Sequence, residues 1–224
     1  MRFTLPTLLL ATVAAVAPVA AQADVRITEF MYQGASGGNR EFFELTNISS
    51  AAIEITGWYF DDDSNTPSVA IGDFFGVLAA NESIIVTEMT ANAFRGYWGL
   101  DAAVRIFGSN TVNLGGSDTI NIYSSSSATD LVDSVSYSGT TRGITRNRPE
   151  GATGTVANAL FAASTVGDAY GSAYAVGSPA DLGNPGRYPA LSAAVPEPAS
   201  WAMMIGGFAV LGAATRRRSK VAFA

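Results

Sequence analysis

The chain has 224 residues, enough for one substantial domain with targeting segments at its ends. It contains neither cysteine nor histidine, which excludes disulfides, thiolate nucleophiles, thiolate metal sites and imidazole general bases. The formal charge of −6 conceals a more acidic centre: residues 24–190 carry eighteen Asp and Glu against eight Arg and no Lys, a surface that repels phosphate backbones and argues against a nucleic-acid partner.

The first 23 residues read as a secretory signal peptide. Arg2 supplies the positive start, residues 5–19 are apolar, and Ala21 and Ala23 form an A-x-A cleavage site, so Asp24 is expected to begin the mature chain. From there to residue 190 the pattern is of short apolar or alternating runs divided by turn residues. Strands are predicted over 25–32, 41–47, 53–60, 69–71, 83–87, 104–107, 119–123 and 131–137, runs rich in Val, Ile, Phe, Tyr and Thr. Turn residues at 34–39, 47–50, 115–116 and 124–127 separate them. One short helix is expected over 90–98, with Phe94 and Trp98 four apart on one face. Many short strands at close spacing predict a mainly β sandwich or barrel.

Three groups of residues could carry chemistry. Asp61, Asp63 and Asn65 have the i, i+2, i+4 spacing of oxygen ligands in a calcium loop. Thr66 and Gly72 depart from that pattern, and the competing reading is an acidic turn whose side chains cap their own backbone. Glu29, Glu41 and Glu44 come together if the first two strands pair, and paired carboxylates are the equipment of glycosidases. The competing reading has them solvated, or paired with Arg26 and Arg40. Arg142, Arg146 and Arg148 form the basic cluster of the body and, with Tyr137, could receive an anionic sugar or phosphate; pairing with the abundant acids is the simpler account. Trp58, Tyr59 and Phe60 cannot all point inward, which leaves one or two for a sugar-stacking surface.

The runs VRITEFMY (25–32), EFFELTN (41–47), IEITGWYF (53–60), GGSDTINIY (115–123) and LVDSVSY (131–137) resemble a bacterial lamin-tail domain, best matched over residues 24–137. The resemblance implies an immunoglobulin-like β-sandwich that serves as a structural or interaction module and not as a catalyst. Residues 138–190 are expected to be a decorated C-terminal part of the same domain.

A linker over 191–195 leads to the end of the chain, where three parts follow in order. Pro196-Glu197-Pro198 is held extended, because each proline fixes its own φ and restricts its predecessor. Residues 199–215 carry no charge and are expected to form a single transmembrane helix at the short end of what spans a bilayer. Arg216, Arg217, Arg218 and Lys220 then hold the tail in the cytoplasm. Gly206, Gly207 and Gly212 suit packing against another membrane helix better than permanent anchoring.

VPEPASWAMM, the Gly206-Gly207-Phe208 run and the arginine cluster resemble a PEP-CTERM sorting signal of the PEPxxWA subtype, spanning residues 196–220 with Trp201 in the motif. The resemblance implies recognition and cleavage by an exosortase in the inner membrane of a Gram-negative bacterium, and delivery to the cell surface or the extracellular matrix. The sequence is therefore expected to encode a non-enzymatic exported protein, transiently membrane-anchored, partnered by exopolysaccharide or another surface polymer, and without a cofactor. A polysaccharide-binding module, calcium-assisted or not, and a carboxylate-based glycan hydrolase are the alternatives.

Overall fold

The computed structural model describes residues 24–152, 154–189 and 206–208. The signal-cleavage residues Ala21 and Ala23 lie outside the described residues, as do Pro196, Glu197, Pro198, Trp201, Arg216, Arg217 and Arg218 of the sorting signal. Of the expected membrane helix, only 206–208 are described, and they are helical.

In chain order the elements are β1 (Val25–Met31), β2 (Phe42–Asn47), β3 (Ile53–Glu54), β4 (Tyr59–Asp61), β5 (Val69–Ala70), α1 (Gly72–Phe75), β6 (Val77–Leu78), β7 (Ser83–Thr87) and α2 (Ala91–Trp98). They continue with β8 (Arg105–Phe107), β9 (Ser117–Tyr123), β10 (Leu131–Ser138), β11 (Arg146–Asn147), a 3₁₀ turn over Asn158–Leu160, β12 (Ala162–Ala163), β13 (Ala173–Ala175) and β14 (Ser178–Gly183). A six-stranded sheet has the order β12-β11-β1-β2-β7-β8, and a four-stranded sheet the order β10-β9-β4-β5. All pairs in both sheets are antiparallel except β7 with β8. The protein is mainly β, with the two sheets packed as a sandwich.

Strand alternation builds the shared core. Phe43 and Leu45 of β2 and Ile84 and Val86 of β7 point inward, where they join Phe60 of β4, Ile120 and Ile122 of β9, and Val135 of β10. Phe43 and Phe60 meet across the sheets with ring centroids 4.5 Å apart. The intervening residues of β2 and β7 form the outer face of the larger sheet. Its apolar end, with Met31, Phe42, Ile85 and Ile106, is covered by α2 through Phe94 and Trp98. The Thr90 hydroxyl caps this helix by accepting the Ala93 N–H, and Gly99 closes it at φ 68°.

The single strand expected over 53–60 is two strands on different partners. Gly57 turns the chain at φ 76°, sending β3 to pair with β6 and β4 to pair with β9 and β5. The inward parity switches across the break, from Ile53 and Ile55 to Phe60, as expected where one run is divided between two strands. The four-residue α1 was not expected either. Gly72 at its start lies so close to the Ile55 carbonyl that a Cβ would sit 1.9 Å from the oxygen. The expected helix over 90–98 and the expected turn at 124–127, here between β9 and β10, are both present.

Polar groups stitch one edge of the sandwich. Asp133 of β10 and Arg148, each 1% exposed, pair at 3.2 Å, and Asp133 also accepts the Ile27 N–H of β1 at 3.0 Å. Arg148 further donates to the carbonyls of Ile27, Ala152 and Gly154. Arg26 donates to Asp24 and to the Val132 carbonyl. Burial pushes the Asp133 carboxyl up and the Arg148 guanidinium down, both against ionisation, and each charge partly restores the other. Removing one partner strands the other charge inside the protein. Arg148→Ala is therefore expected to lose about 3–5 kcal/mol in chemical denaturation. A loss below about 1 kcal/mol, the range of a surface pair, would contradict this role.

Candidate functional site

The polar end of the outer face holds the most unusual arrangement in the molecule. A bulge in β1 shifts the register between Ile27 and Glu29, which lets both Ile27 and Phe30 reach the inner core. Glu29 is then opposite Glu44 of β2. Both side chains are fully buried, and no cation lies against either carboxylate among the described residues. The competing expectation, that these glutamates are solvated or paired with Arg26 and Arg40, is overturned. Arg26 is held by Asp24 and Asp133, and the Arg40 guanidinium lies 5.1 Å from the Tyr97 ring centroid. Glu41 does not join the pair; it accepts the Leu114 N–H at 2.8 Å on the inner side.

The C-terminal part of the domain covers the two glutamates. The Leu182 carbonyl of β14 accepts the Thr145 N–H, and its own N–H reaches the Gly143 carbonyl. Beyond β14 the chain turns through Gly183-Asn-Pro-Gly186 across the sheet. The Asn184 N–H donates to Glu29 Oε1 at 2.8 Å, and the Gly186 N–H donates to Glu44 Oε2 at 2.7 Å. Thr28 and Thr46 hydroxyls donate to Glu44 Oε1, while Glu29 Oε2 has no partner. The approach is close: a Cβ on Gly183 would stand 2.5 Å from Thr145 and 2.9 Å from Glu29 Oε1. Burial raises both carboxyls above the ordinary range, and for Glu29 the neighbouring Glu44 charge raises it further. Burial with no cation alongside disfavours ionising both carboxyls, and between them they clamp the backbone of the turn.

A cavity of about 250 Å³ opens beside this clamp, between the C-terminal end of α2, β13 and the clamped turn. Trp98, Asp101, Tyr174, Asn184, Pro185 and Arg187 are among its walls. The Asn184 side chain is committed, accepting from Ser172 at 3.0 Å and donating to the Arg187 carbonyl at 2.7 Å. Apart from Trp98, which the sequence marks as part of a helix face, none of these positions stood out in the sequence. What the turn at 183–186 covers depends on pairing with residues some forty positions earlier and beyond.

The other candidates are placed as follows. Asp61 is buried at the end of β4, and its two carboxylate oxygens accept from the hydroxyls of Ser64 and Ser68 and the Thr66 N–H. Asn65 donates to the Asp63 carbonyl at 3.2 Å and adopts φ 55°, the backbone of a tight turn. Among the described residues, no group of three or more acidic side chains is placed to hold a metal ion. Arg146 donates to the Phe161 carbonyl and Arg148 is buried with Asp133, so the basic cluster is dispersed; Arg142 is exposed. Phe60 is in the core, while Trp58 and Tyr59 are half-buried.

Comparison with known proteins adds two findings from family models. The model described as Lamin Tail Domain matches residues 18–139, and that of the PEP-CTERM protein-sorting motif matches residues 194–218. No curated protein matches. Among solved structures, a DUF4876 family protein from Bacteroides thetaiotaomicron VPI-5482 is similar, with 12% identity, coverage of 64% of this chain and 68% of that one, and a TM-score of 0.37.

Two outcomes test this geometry. Burial pushes Glu41 up to about 8, and Glu29 and Glu44 also lie above their ordinary value of 4.5, so the folded state binds protons that the unfolded chain releases. Their contribution to stability is full below about pH 4.5 and is lost as pH rises through the folded values. The melting temperature should therefore fall between about pH 5 and about pH 8, and Glu29→Gln should flatten the fall; a melting temperature rising over that window would contradict the assignment. Second, because Asp61 is occupied by donors of its own turn, millimolar calcium should leave the melting temperature unchanged. A calcium-dependent rise abolished by Asp63→Asn would show that the turn rearranges into a metal loop.

Proposed function

The chain belongs to the lamin tail domain family and carries a PEP-CTERM protein-sorting motif, and from this we propose a non-enzymatic module of the bacterial cell surface or extracellular matrix. The motif implies an exported protein that an exosortase sorts, and a surface or membrane-associated location. It is the observation that carries the proposal, because it assigns the processing enzyme and the destination at once.

The finer reading builds on residues outside the described part. A signal peptide over 1–23 is cut after Ala23, and the helix over 199–215 with Arg216, Arg217 and Arg218 holds the chain in the inner membrane until cleavage near Pro196, Glu197 and Pro198. Among the described residues, no helix is long and apolar enough to cross a membrane. Outside the cell, an immunoglobulin-like sandwich associated with exopolysaccharide serves as a structural or adhesive component.

Several features support a module without catalysis. Cysteine and histidine are absent, and Glu29 and Glu44 are sealed beneath the 183–187 turn where a substrate cannot reach them. The cavity beside the clamp favours polysaccharide binding as a second role for the same domain.

The intact mass of the protein, recovered from a host with and without an exosortase, tests the sorting claim. With the enzyme, the mass is expected to lack residues 1–23 and everything from Trp201 onward; without it, the C-terminal segment should be retained. Retention of residues 201–224 in both hosts would overturn the proposal.

A further inference from the structure

We infer that the cavity between α2, β13 and the 183–187 turn binds an acidic sugar residue of a polysaccharide, a hydroxylated ring bearing one carboxylate, with Arg187 as the anion anchor and Tyr174 as the stacking face. The inference deepens the polysaccharide role given above and rests on it.

Arg187 carries the argument on charge. Arg26, Arg105 and Arg148 are each neutralised by a carboxylate; Arg187, like Arg40, Arg95, Arg142 and Arg146, meets none among the described residues, and of these arginines it is the one that lines the cavity. Its Nη1 hangs over Gly171 in the cavity, where a glycine Cβ would stand 4.0 Å away. An uncommitted guanidinium in a markedly acidic domain is a planar fork matched to a carboxylate. Tyr174 is 54% exposed on the same wall, offering a ring face of the kind on which a pyranose stacks. Asp101 supplies an acceptor for ring hydroxyls, although one of its oxygens already takes the Ala103 N–H at 2.8 Å. Trp98, on the floor, has a buried Nε1–H with no acceptor among the described residues.

The cavity is also built to hold its shape. Its 183–187 wall is fixed by the Asn184 and Gly186 N–H bonds to the buried glutamates, and by the Asn184 side chain bridging Ser172 and the Arg187 carbonyl. A wall fixed before the ligand arrives loses little entropy on binding. This gives the buried carboxylate pair a purpose besides stability, since without it the turn that carries Arg187 loses its two main-chain bonds to the sheet.

The test is titration of the purified full chain with trigalacturonate, with a neutral glucose trimer and with a short Glu-Tyr peptide as comparisons. Saturable binding of trigalacturonate is expected, weakened about tenfold or more by Arg187→Ala and by Tyr174→Ala and unchanged by Arg142→Ala. Both weakening variants alter exposed side chains, and the backbone bonds of residue 187 survive in Ala, so the melting temperature should be unchanged. If trigalacturonate binds but neither variant weakens it, the site is wrong while the polysaccharide role stands. If the glucose trimer binds as tightly and is equally insensitive to Arg187→Ala, the acidic class is wrong. Preference for the peptide overturns the sugar assignment, and no binding of any saccharide overturns both this site and the role on which it rests.

Discussion

Glu29 and Glu44 face each other across β1 and β2 with no cation beside them, and the C-terminal third of the domain is arranged around that fact. A carboxyl buried without partners is costly, and two of them together more so. The structure answers this by bringing donors to the carboxyl oxygens. Three of the four oxygens receive them, from Asn184, Gly186, Thr28 and Thr46. Because two of those donors are main-chain N–H groups, the path of the backbone is dictated, not merely the placing of a side chain. Gly183 follows from the same constraint, since any side chain there would collide with Thr145 and Glu29.

The sandwich itself depends on a different polar group. Asp133 and Arg148 join the four-stranded sheet to the edge of the six-stranded one, and Arg148 spends its other donors on three carbonyls of the same corner. The interior between them is ordinary apolar packing, with Phe43 against Phe60 and isoleucines from β7 and β9. Nondirectional burial brings the sheets together, and directional bonds at one edge set their alignment. The outer face shows the same division: α2 covers the half that is greasy, and the clamped turn covers the half that is polar.

Sequence patterns reveal those parts of the fold that are local. β1, β2, β7, β9 and β10 announce themselves through β-branched and aromatic residues between turn signals, and α2 through Phe94 and Trp98. The sorting signal is legible for the same reason, being a linear motif in a fixed order. What escapes is whatever a partner decides. Ile53 and Ile55 read as one strand with Phe60, yet Gly57 sends the two halves to different sheets. Glu29 and Glu44 read as solvated because charge favours water, and only the covering turn, more than a hundred residues away, makes them buried. Arg187 and Tyr174 lie in a stretch with no strong periodicity, so nothing local marks them as neighbours of Trp98.

The β-domain of this sorted chain is fastened down at its end before the sorting motif begins. Amide hydrogen exchange at Asn184 and Gly186 tests this fastening most directly. Near neutral pH both amides are expected to exchange as slowly as those of β1 and β2, with protection lost at Asn184 in Glu29→Ala and at Gly186 in Glu44→Ala, where the acceptor is removed. Exchange at the rate of an exposed loop in the unaltered protein would contradict the clamp, and with it the fixed wall of the cavity.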